Sequence, residues 1–423
     1  MRRKILIVVL GLTIVSQLPF AYRRYRLSRL QDTIQQLASQ RVSPPMESAY
    51  VDYTGVIHVH TSLGGHSTGS FTELIAAAKA NQLAFVIVTE HPQAAFDTSA
   101  MTLKGELAGV LFLNGNEVAT ADGDRLLLIP GSANAPSMNT QSTRDIIDKQ
   151  KSSGGLAFAA YPTESQTWQS SSLNGVEIYN LFTNARQYNA LVGFFDGLWS
   201  YGKYPELMFA NFFVRPTENL NRWDQAISTS HRKLIAIAGN DAHSNIGLSV
   251  NDASGKQWLG VKLDPYERSF RTVRTHVLIS KDQGLSRESL LEAISQGHCY
   301  VSFDLFGDPK GFSFAVENSD KILGDEIVRT NGLTLKAGAP LTSRFVLLKN
   351  GVVVDQKSGT TADFLVESSA SYRIEVYLDS LPTPVKGQPW IVSNPIYVVE
   401  PVALLKGRGP GPVHDAPRKK PVK

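Results

Sequence analysis

Tyr53-Thr54-Gly55-Val56-Ile57-His58-Val59-His60 is an apolar run that ends in two imidazoles. Aromatic and β-branched residues dominate it, so it reads as a buried strand. Alternate side chains of a strand share a face, which puts His58 and His60 on one side of a rigid element. Two imidazoles held that way form half of a metal site without a loop having to fold around the ion. The remainder must come from carboxylates and histidines at the ends of other strands.

Working outward, apolar runs alternate with helix-like segments from residue 51 to about 300. A helix over 71–81 precedes a strongly apolar strand over 83–89. A strand over 110–113 leads to Glu117, with a return strand over 125–129. A helix over 142–153 leads into a strand over 156–160, and a short strand covers 175–179. A further helix, 218–231, leads into a strand over 234–238. This βα alternation predicts a parallel sheet or barrel. After a helix over 287–296 the texture turns to short β-like runs at 311–316, 333–337, 345–354, 363–366, 372–377 and 396–399. Asn350-Gly351 marks a two-residue hairpin among them. An all-β sandwich is expected there.

The 423 residues carry a formal charge of +4, but the charge is unevenly placed. Residues 1–29 hold seven Lys/Arg and no acid, and residues 404–423 hold six against Asp415, leaving about −8 for residues 30–403. An acidic body argues against a general nucleic-acid surface and suits one that collects cations. Cys299 is the single cysteine, so thiolate clusters and intrachain disulfides are excluded and any metal must be held mainly by N and O ligands. No nucleophile elbow or phosphate-binding loop of the Walker type is present. At the N-terminus, Arg2-Arg3-Lys4 and Arg23-Arg24-Tyr25-Arg26 bracket an apolar run from Ile5 to Tyr22 without a convincing cleavage site. It reads as an uncleaved membrane anchor, followed by a polar spacer that is helical over 27–40 and stops at Ser43-Pro44-Pro45. The body is expected on the extracytoplasmic face. The division expected is anchor and spacer 1–50, catalytic barrel 51–303, β-sandwich 304–400, and a disordered basic tail 401–423.

Functional groups gather at the C-terminal ends of parallel strands in barrels and open α/β sheets. Here those ends carry His58 and His60, Glu90-His91, Glu117, Tyr161, Glu177, and Asp241 with His243. Imidazole plus carboxylate suits Zn, Mn or Fe, and a bridging carboxylate such as Glu117 can join two ions. Paired ions clamp the oxygens of a displacement and acidify a bound water, which points to hydrolysis of a small-molecule substrate. Glu90 and Tyr161 are candidates for proton transfer. Glu177 and Asn180, with Asn184 and Arg186, are candidates for substrate contact or for hydrogen bonds that support the metal ligands, and Arg268 and Arg271, on the shared face of a helix over 264–274, are candidates for substrate contact. His298 reads as structural.

His58-Val59-His60, Thr89-Glu90-His91, Gly115-Asn116-Glu117 and Asp241-Ala242-His243 resemble, in order and spacing, the motifs of the PHP (polymerase and histidinol phosphatase) metal-dependent hydrolase domain. With the β region behind it, the chain resembles the carbaryl-hydrolase-like branch. The resemblance implies a distorted (β/α)7 barrel with divalent ions in its mouth. His58 and His60 would share one ion with Glu117 and Asp241, His91 would bind a second, and His243 a second or third. Three differences stand out. Ala160-Tyr161-Pro162 replaces an Ala-His-Pro, no aspartate follows the first pair, where His66 is the available substitute, and Glu90 stands for an Asp. They favour one or two ions over three. The expectation is a membrane-anchored hydrolase using a metal-activated water on a phosphoester or on an ester, amide or carbamate. The alternative is a non-catalytic metal-binding envelope module whose β region binds a partner. Nucleic acid is not expected as a partner.

Overall fold

The computed structural model describes residues 2–43, 48–165, 167, 172–186, 188–230, 232–245, 247–251 and 257–401; the side chains of 246–261 are not described. The expected tail beyond residue 401 and the Pro44-Pro45 stop lie outside the described residues.

Seven strands close into a barrel: β1 (Tyr50–Val59), β2 (Phe85–Glu90), β3 (Val110–Ala119), β4 (Arg125–Ile129), β5 (Leu156–Ala160), β6 (Gly175–Asn180) and β7 (Ile235–Ala242), with β7 pairing back onto β1. Neighbours are parallel except at β4, which runs antiparallel to both β3 and β5. The return strand after Glu117 is therefore built into the barrel. β2, β5, β6 and β7 are buried along their whole length, as strands covered on both faces must be. Ile57, Phe85, Ile87, Leu127, Phe158 and Ile237 form one buried cluster drawn from five strands, the filling expected of a small barrel.

The helices follow local signals. α2 (Phe71–Ala80) opens with a capping box between Ser70 and Glu73. α3 (Thr143–Ser152) is capped by Ser142, whose side chain accepts from the Asp145 N–H. α4 (Leu181–Arg186) and α5 (Ala190–Ser200) follow β6, and α6 (Thr217–Ser230) buries Trp223. α5 is absent from the sequence reading, because Gly193 and Gly197 interrupt its apolar pattern. The N-terminal segment is a single helix, α1 (Arg2–Ser39), in two environments. Ile5 to Ser16 is exposed, whereas Leu27, Leu30 and Leu37 belong to the main core. By length and composition α1 can cross a membrane.

β1 is shared by two sheets' worth of neighbours. Tyr50–Gly55 pairs antiparallel with β8 (Arg274–Ser280), and the segment beyond pairs with β2 and β7. The helix expected over 264–274 is only the turn Tyr266–Ser269, since Thr275 to Val277 are β-prone and join this sheet. From β8, pairing continues through β9 (Cys299–Ser302), beyond α7 (Arg287–Gln296), into the C-terminal β region. That region comprises β10 (Ser313–Val316), β11 (Glu326–Val328), β12 (Thr334–Lys349), β13 (Val352–Leu365), β14 (Ala370–Tyr377), β15 (Ile391–Ser393) and β16 (Ile396–Val399). The runs expected at 333–337 and 345–354 are not separate strands: one long strand, β12, spans most of both and turns at Asn350-Gly351, both with positive φ, into β13.

The junction between barrel and β region encloses a charged group. Buried His276 of β8 contacts Asp52 Oδ1 at 2.8 Å through Nδ1 and Asp304 at 3.2 Å through Nε2, and the Tyr300 hydroxyl donates to Asp52 at 2.5 Å. Burial would lower this imidazole, but Asp52 and Asp304 push it up to about 10. A folded-state value above the ordinary 6.5 means that the stabilisation is complete below about pH 6.5 and lost as pH rises through about 10. Melting temperatures from pH 6 to 10 should fall along that window in the native protein. His276→Gln should remove the slope, and parallel curves for the two would contradict a charged His276.

Candidate metal centre

β1 does not run straight to its end. His58 has φ of 66°, and the register with β2 slips between Ile57 and Val59. Tyr161 and Asp241, at the ends of β5 and β7, both have φ of 51°. Left-handed backbone at three non-glycine residues costs energy and persists only where the surroundings enforce it. The twists turn these side chains towards one another. His58 and His60 do converge, with ring centroids 5.1 Å apart, but through a bulge rather than the strict alternation read from sequence.

Four side chains face a common point. His58 Nε2 lies 3.3 Å from Glu117 Oε2 and 3.4 Å from Asp241 Oδ1, and His60 Nε2 is 3.3 Å from both oxygens. Ligands about 2.0–2.1 Å from a tetrahedral ion are separated by about 3.3–3.4 Å. Both ring nitrogens of His60, and Asp241 Oδ1, are buried with no aligned hydrogen-bond partner. Buried polar atoms are almost always satisfied, so atoms at this spacing without aligned hydrogen bonds fit a cation. His91 Nε2 lies 3.5 Å from the same Glu117 oxygen, and its ring stacks on His60 at 4.5 Å. The His243 ring also stacks on His60, at 4.5 Å. His60, His91 and His243 form a second group with metal-ligand spacing.

The supporting contacts fix which nitrogen faces inward. His58 Nδ1 lies 2.6 Å from Glu177 Oε1, so its N–H is held there and Nε2 is left as the ligand atom. His243 Nδ1 donates to the Asp241 carbonyl at 2.8 Å, with the same consequence. The Tyr161 hydroxyl donates to Asp241 Oδ2 at 2.6 Å, leaving Oδ1 for the centre. Gly239 makes the Glu177 contact possible, because a Cβ there would lie 1.4 Å from Glu177 Oε1.

Electrostatics follow the same pattern. Burial would lower His60, but Asp241 and Glu117 hold it up at about 9. Burial opposes ionisation of Glu117 and Asp241, yet His58 and His60 hold both below the usual carboxylate range. His91 is pushed down to about 3 and His243 to about 4, first by burial and then by His60. A cation among these atoms competes with the protons they now share. Burial and three nearby carboxylates push the Tyr161 phenol upward, so it serves as a hydrogen donor.

Two cavities meet at the centre. A polar one of about 700 Å³ is lined by His66, His91, Glu117, Tyr161, Asp241 and His243, with Arg125 and Arg186 at its mouth. An apolar one of about 410 Å³ shares Phe182, Asp241 and His243 with it and extends under α5. The structure thus brings together His58, His60, His91, Glu117, Asp241 and His243, with exposed His66 at the rim 4.7 Å from His91.

The other candidates lie elsewhere. Glu90 is buried and accepts from the Thr61 N–H and hydroxyl and from Thr102, and it lines neither cavity. It fastens the loop after β1 instead of reaching a substrate. Glu177 and Asn180 lie behind His58, with Asn180 donating to Glu177 at 3.1 Å, so neither is open to substrate. Arg268 is tied to Tyr201, and Arg271 to Glu206 and Glu267, outside both cavities. The cation that the sequence reading missed is Arg125, whose Nη1 lies 3.3 Å from Glu117 Oε1. The β3–β4 hairpin register, in which Ala119 faces Arg125, was the available signal.

Fold and site together define a seven-stranded α/β barrel with a His/Glu/Asp centre suited to a divalent cation. No family model and no curated protein matches the chain. Similar solved structures include a two-domain protein from Bacteroides vulgatus described as containing a predicted PHP-like metal-dependent phosphoesterase. It is 15% identical over 84% of this chain and 98% of its own, with a TM-score of 0.38. PsfC from Pseudomonas syringae is 11% identical over 60% of this chain and 91% of its own, with a TM-score of 0.35. Endonuclease Q, in complex with a 27-mer duplex bearing an abasic lesion, is 12% identical over 58% and 56%, with a TM-score of 0.33.

Proposed function

We propose that this chain is a metal-dependent phosphoester hydrolase of the PHP type, held at a membrane by α1. The observation that carries the reading is the cage of His58 Nε2, His60 Nε2, Glu117 Oε2 and Asp241 Oδ1, spaced at 3.3–3.4 Å and containing buried atoms without aligned hydrogen bonds. These four would hold one ion, and His91 and His243 a second beside them. A divalent cation in such a centre supplies Lewis-acid polarisation and lowers the pKa of a bound water. The protein's own groups do the positioning. Glu177 keeps the His58 proton on Nδ1, Tyr161 orients Asp241, and Arg125 and Arg186 bring positive charge to the mouth, where a phosphoryl group would sit. That pair of arginines favours a phosphoester over a neutral ester, amide or carbamate.

The test uses purified full-length protein loaded with Zn or Mn. Metal content should be about one or two ions per chain, and an aryl phosphodiester should be hydrolysed in a chelator-sensitive manner. An aryl carbamate should be turned over at least about tenfold more slowly. Metal binding without turnover of either substrate would support the non-catalytic module, and preference for the carbamate would favour the carbonyl-directed reading.

A further inference from the structure

α5 has three faces with different surroundings. Ala190, Gly193, Phe194 and Gly197, at helical spacing, line the apolar cavity. Phe195 stacks on Phe20 of α1 at 4.9 Å, and the Trp199 indole donates to Gln17 at 3.0 Å. Arg23 of α1 pairs with Asp196 at 2.8 Å. Leu191, Phe194 and Leu198 are exposed by 67%, 54% and 67%. α5 therefore docks at Gln17, Phe20 and Arg23, where the apolar run of α1 gives way to its basic cluster. That is the level of a membrane surface for a helix spanning from Ile5, and it carries a second set of exposed apolar side chains to the same level.

The cavity behind α5 is walled by Leu181, Phe182, Phe209 and Phe212 and reaches Asp241 and His243 of the metal centre. An apolar cavity is not needed for a small hydrophilic phosphoester, whose whole body fits the polar cavity. We propose that the substrate is a membrane amphiphile, with its phosphorylated head at the metal centre between Arg125 and Arg186 and its hydrocarbon chain in the cavity beneath α5. This rests on the hydrolase reading for the reaction, while the chain-binding cavity stands on its own geometry. The bilayer is the source of the ligand, and α5 is the wall beside which the chain leaves it.

Binding of hexadecylphosphonate and methylphosphonate to metal-loaded full-length protein in detergent tests the cavity without requiring turnover. The long-chain ligand should bind at least tenfold more tightly. Gly197→Phe should bring the affinity ratio towards one, because a Cβ there meets nothing within 4 Å and its ring would fill the cavity. Gly193→Leu is a second plug, with its Cβ 3.5 Å from the Tyr188 ring. Equal affinities in the native protein, or a chain-length advantage that survives both plugs, would overturn the proposal. Hydrolysis of the corresponding hexadecyl and methyl aryl phosphodiesters is followed in parallel. Chain-dependent binding without any hydrolysis would remove the enzymatic reading and leave the amphiphile site standing.

Discussion

Asp241→Asn is expected to cost at least about a thousandfold in hydrolysis, the several kcal/mol that metal-centred charge stabilisation supplies, and to remove one ion per chain. Asp241 is 1% exposed, its Oδ2 takes the Tyr161 hydroxyl, and its Oδ1 faces the imidazoles of His58 and His60. The amide keeps the shape and the Tyr161 contact. It places an N–H2 where a cation needs an anionic oxygen. Its effect on the ion-free fold should have the opposite character. Three buried carboxylates, Glu117, Glu177 and Asp241, crowd His58, so neutralising one relieves like-charge repulsion as well as losing attraction. The ion-free melting temperature should therefore change little, while metal content and turnover collapse together. Parallel loss of fold would make Asp241 a structural group. Retained metal with retained activity would remove it from the centre altogether.

The same neighbourhood shows what the sequence made legible. His58, His60, His91, Glu117, Asp241 and His243 could be read because strand ends are local: an apolar run followed by a polar group needs no knowledge of partners. The α/β alternation and the Asn350-Gly351 turn were legible for the same reason. For Glu177 the strand-end position allowed two readings, substrate contact or a hydrogen bond supporting a ligand; that the second is realised depends on β7 lacking a side chain at Gly239, a relation between strands with no local mark beyond the glycine itself. Glu90 misled for the converse reason. It sits beside His91 at a strand end, but one residue earlier in the pleat, so it points into the Thr61 loop instead of the mouth. The arginines at 268 and 271 assumed a helix that the β-prone residues of β8 cut to one turn. Tyr161, marked by sequence as a weak place in the site, is where phenol and carboxylate meet at 2.6 Å. Its hydroxyl is directed at Asp241, a partner brought in from another strand that its own segment does not mark.

Arg373→Ala is expected to destabilise the protein by about 3–5 kcal/mol, a large part of the roughly 5–15 kcal/mol that holds an ordinary domain folded. Arg373 is 2% exposed on β14, with Nε and Nη2 2.8 and 2.7 Å from the two oxygens of Asp224 on α6 and Nη1 2.8 Å from Glu375. Glu375 also takes Arg215 at 2.6 Å, so a barrel helix and a C-terminal strand are joined by two guanidiniums and two carboxylates. Removing Arg373 strands Asp224 in a dry junction and leaves Glu375 to Arg215 and the Tyr377 hydroxyl, which is why breaking such a pair costs more than forming it gains. The paired change Arg373→Met with Asp224→Leu should cost less than the sum of the singles, because no charge is left uncompensated. Burial would raise the Glu375 carboxyl, but Arg373 and Arg215 hold it down at about 2. Its contribution is therefore complete above the ordinary carboxylate value and lost as pH falls through about 2, so the native protein should lose stability on acidification through that window and Arg373→Ala should lose less. Urea midpoints at pH 7 and pH 3 for native protein, single variants and the pair measure all of this. Additive singles would show that the Arg373–Asp224 pair does not couple barrel and β region.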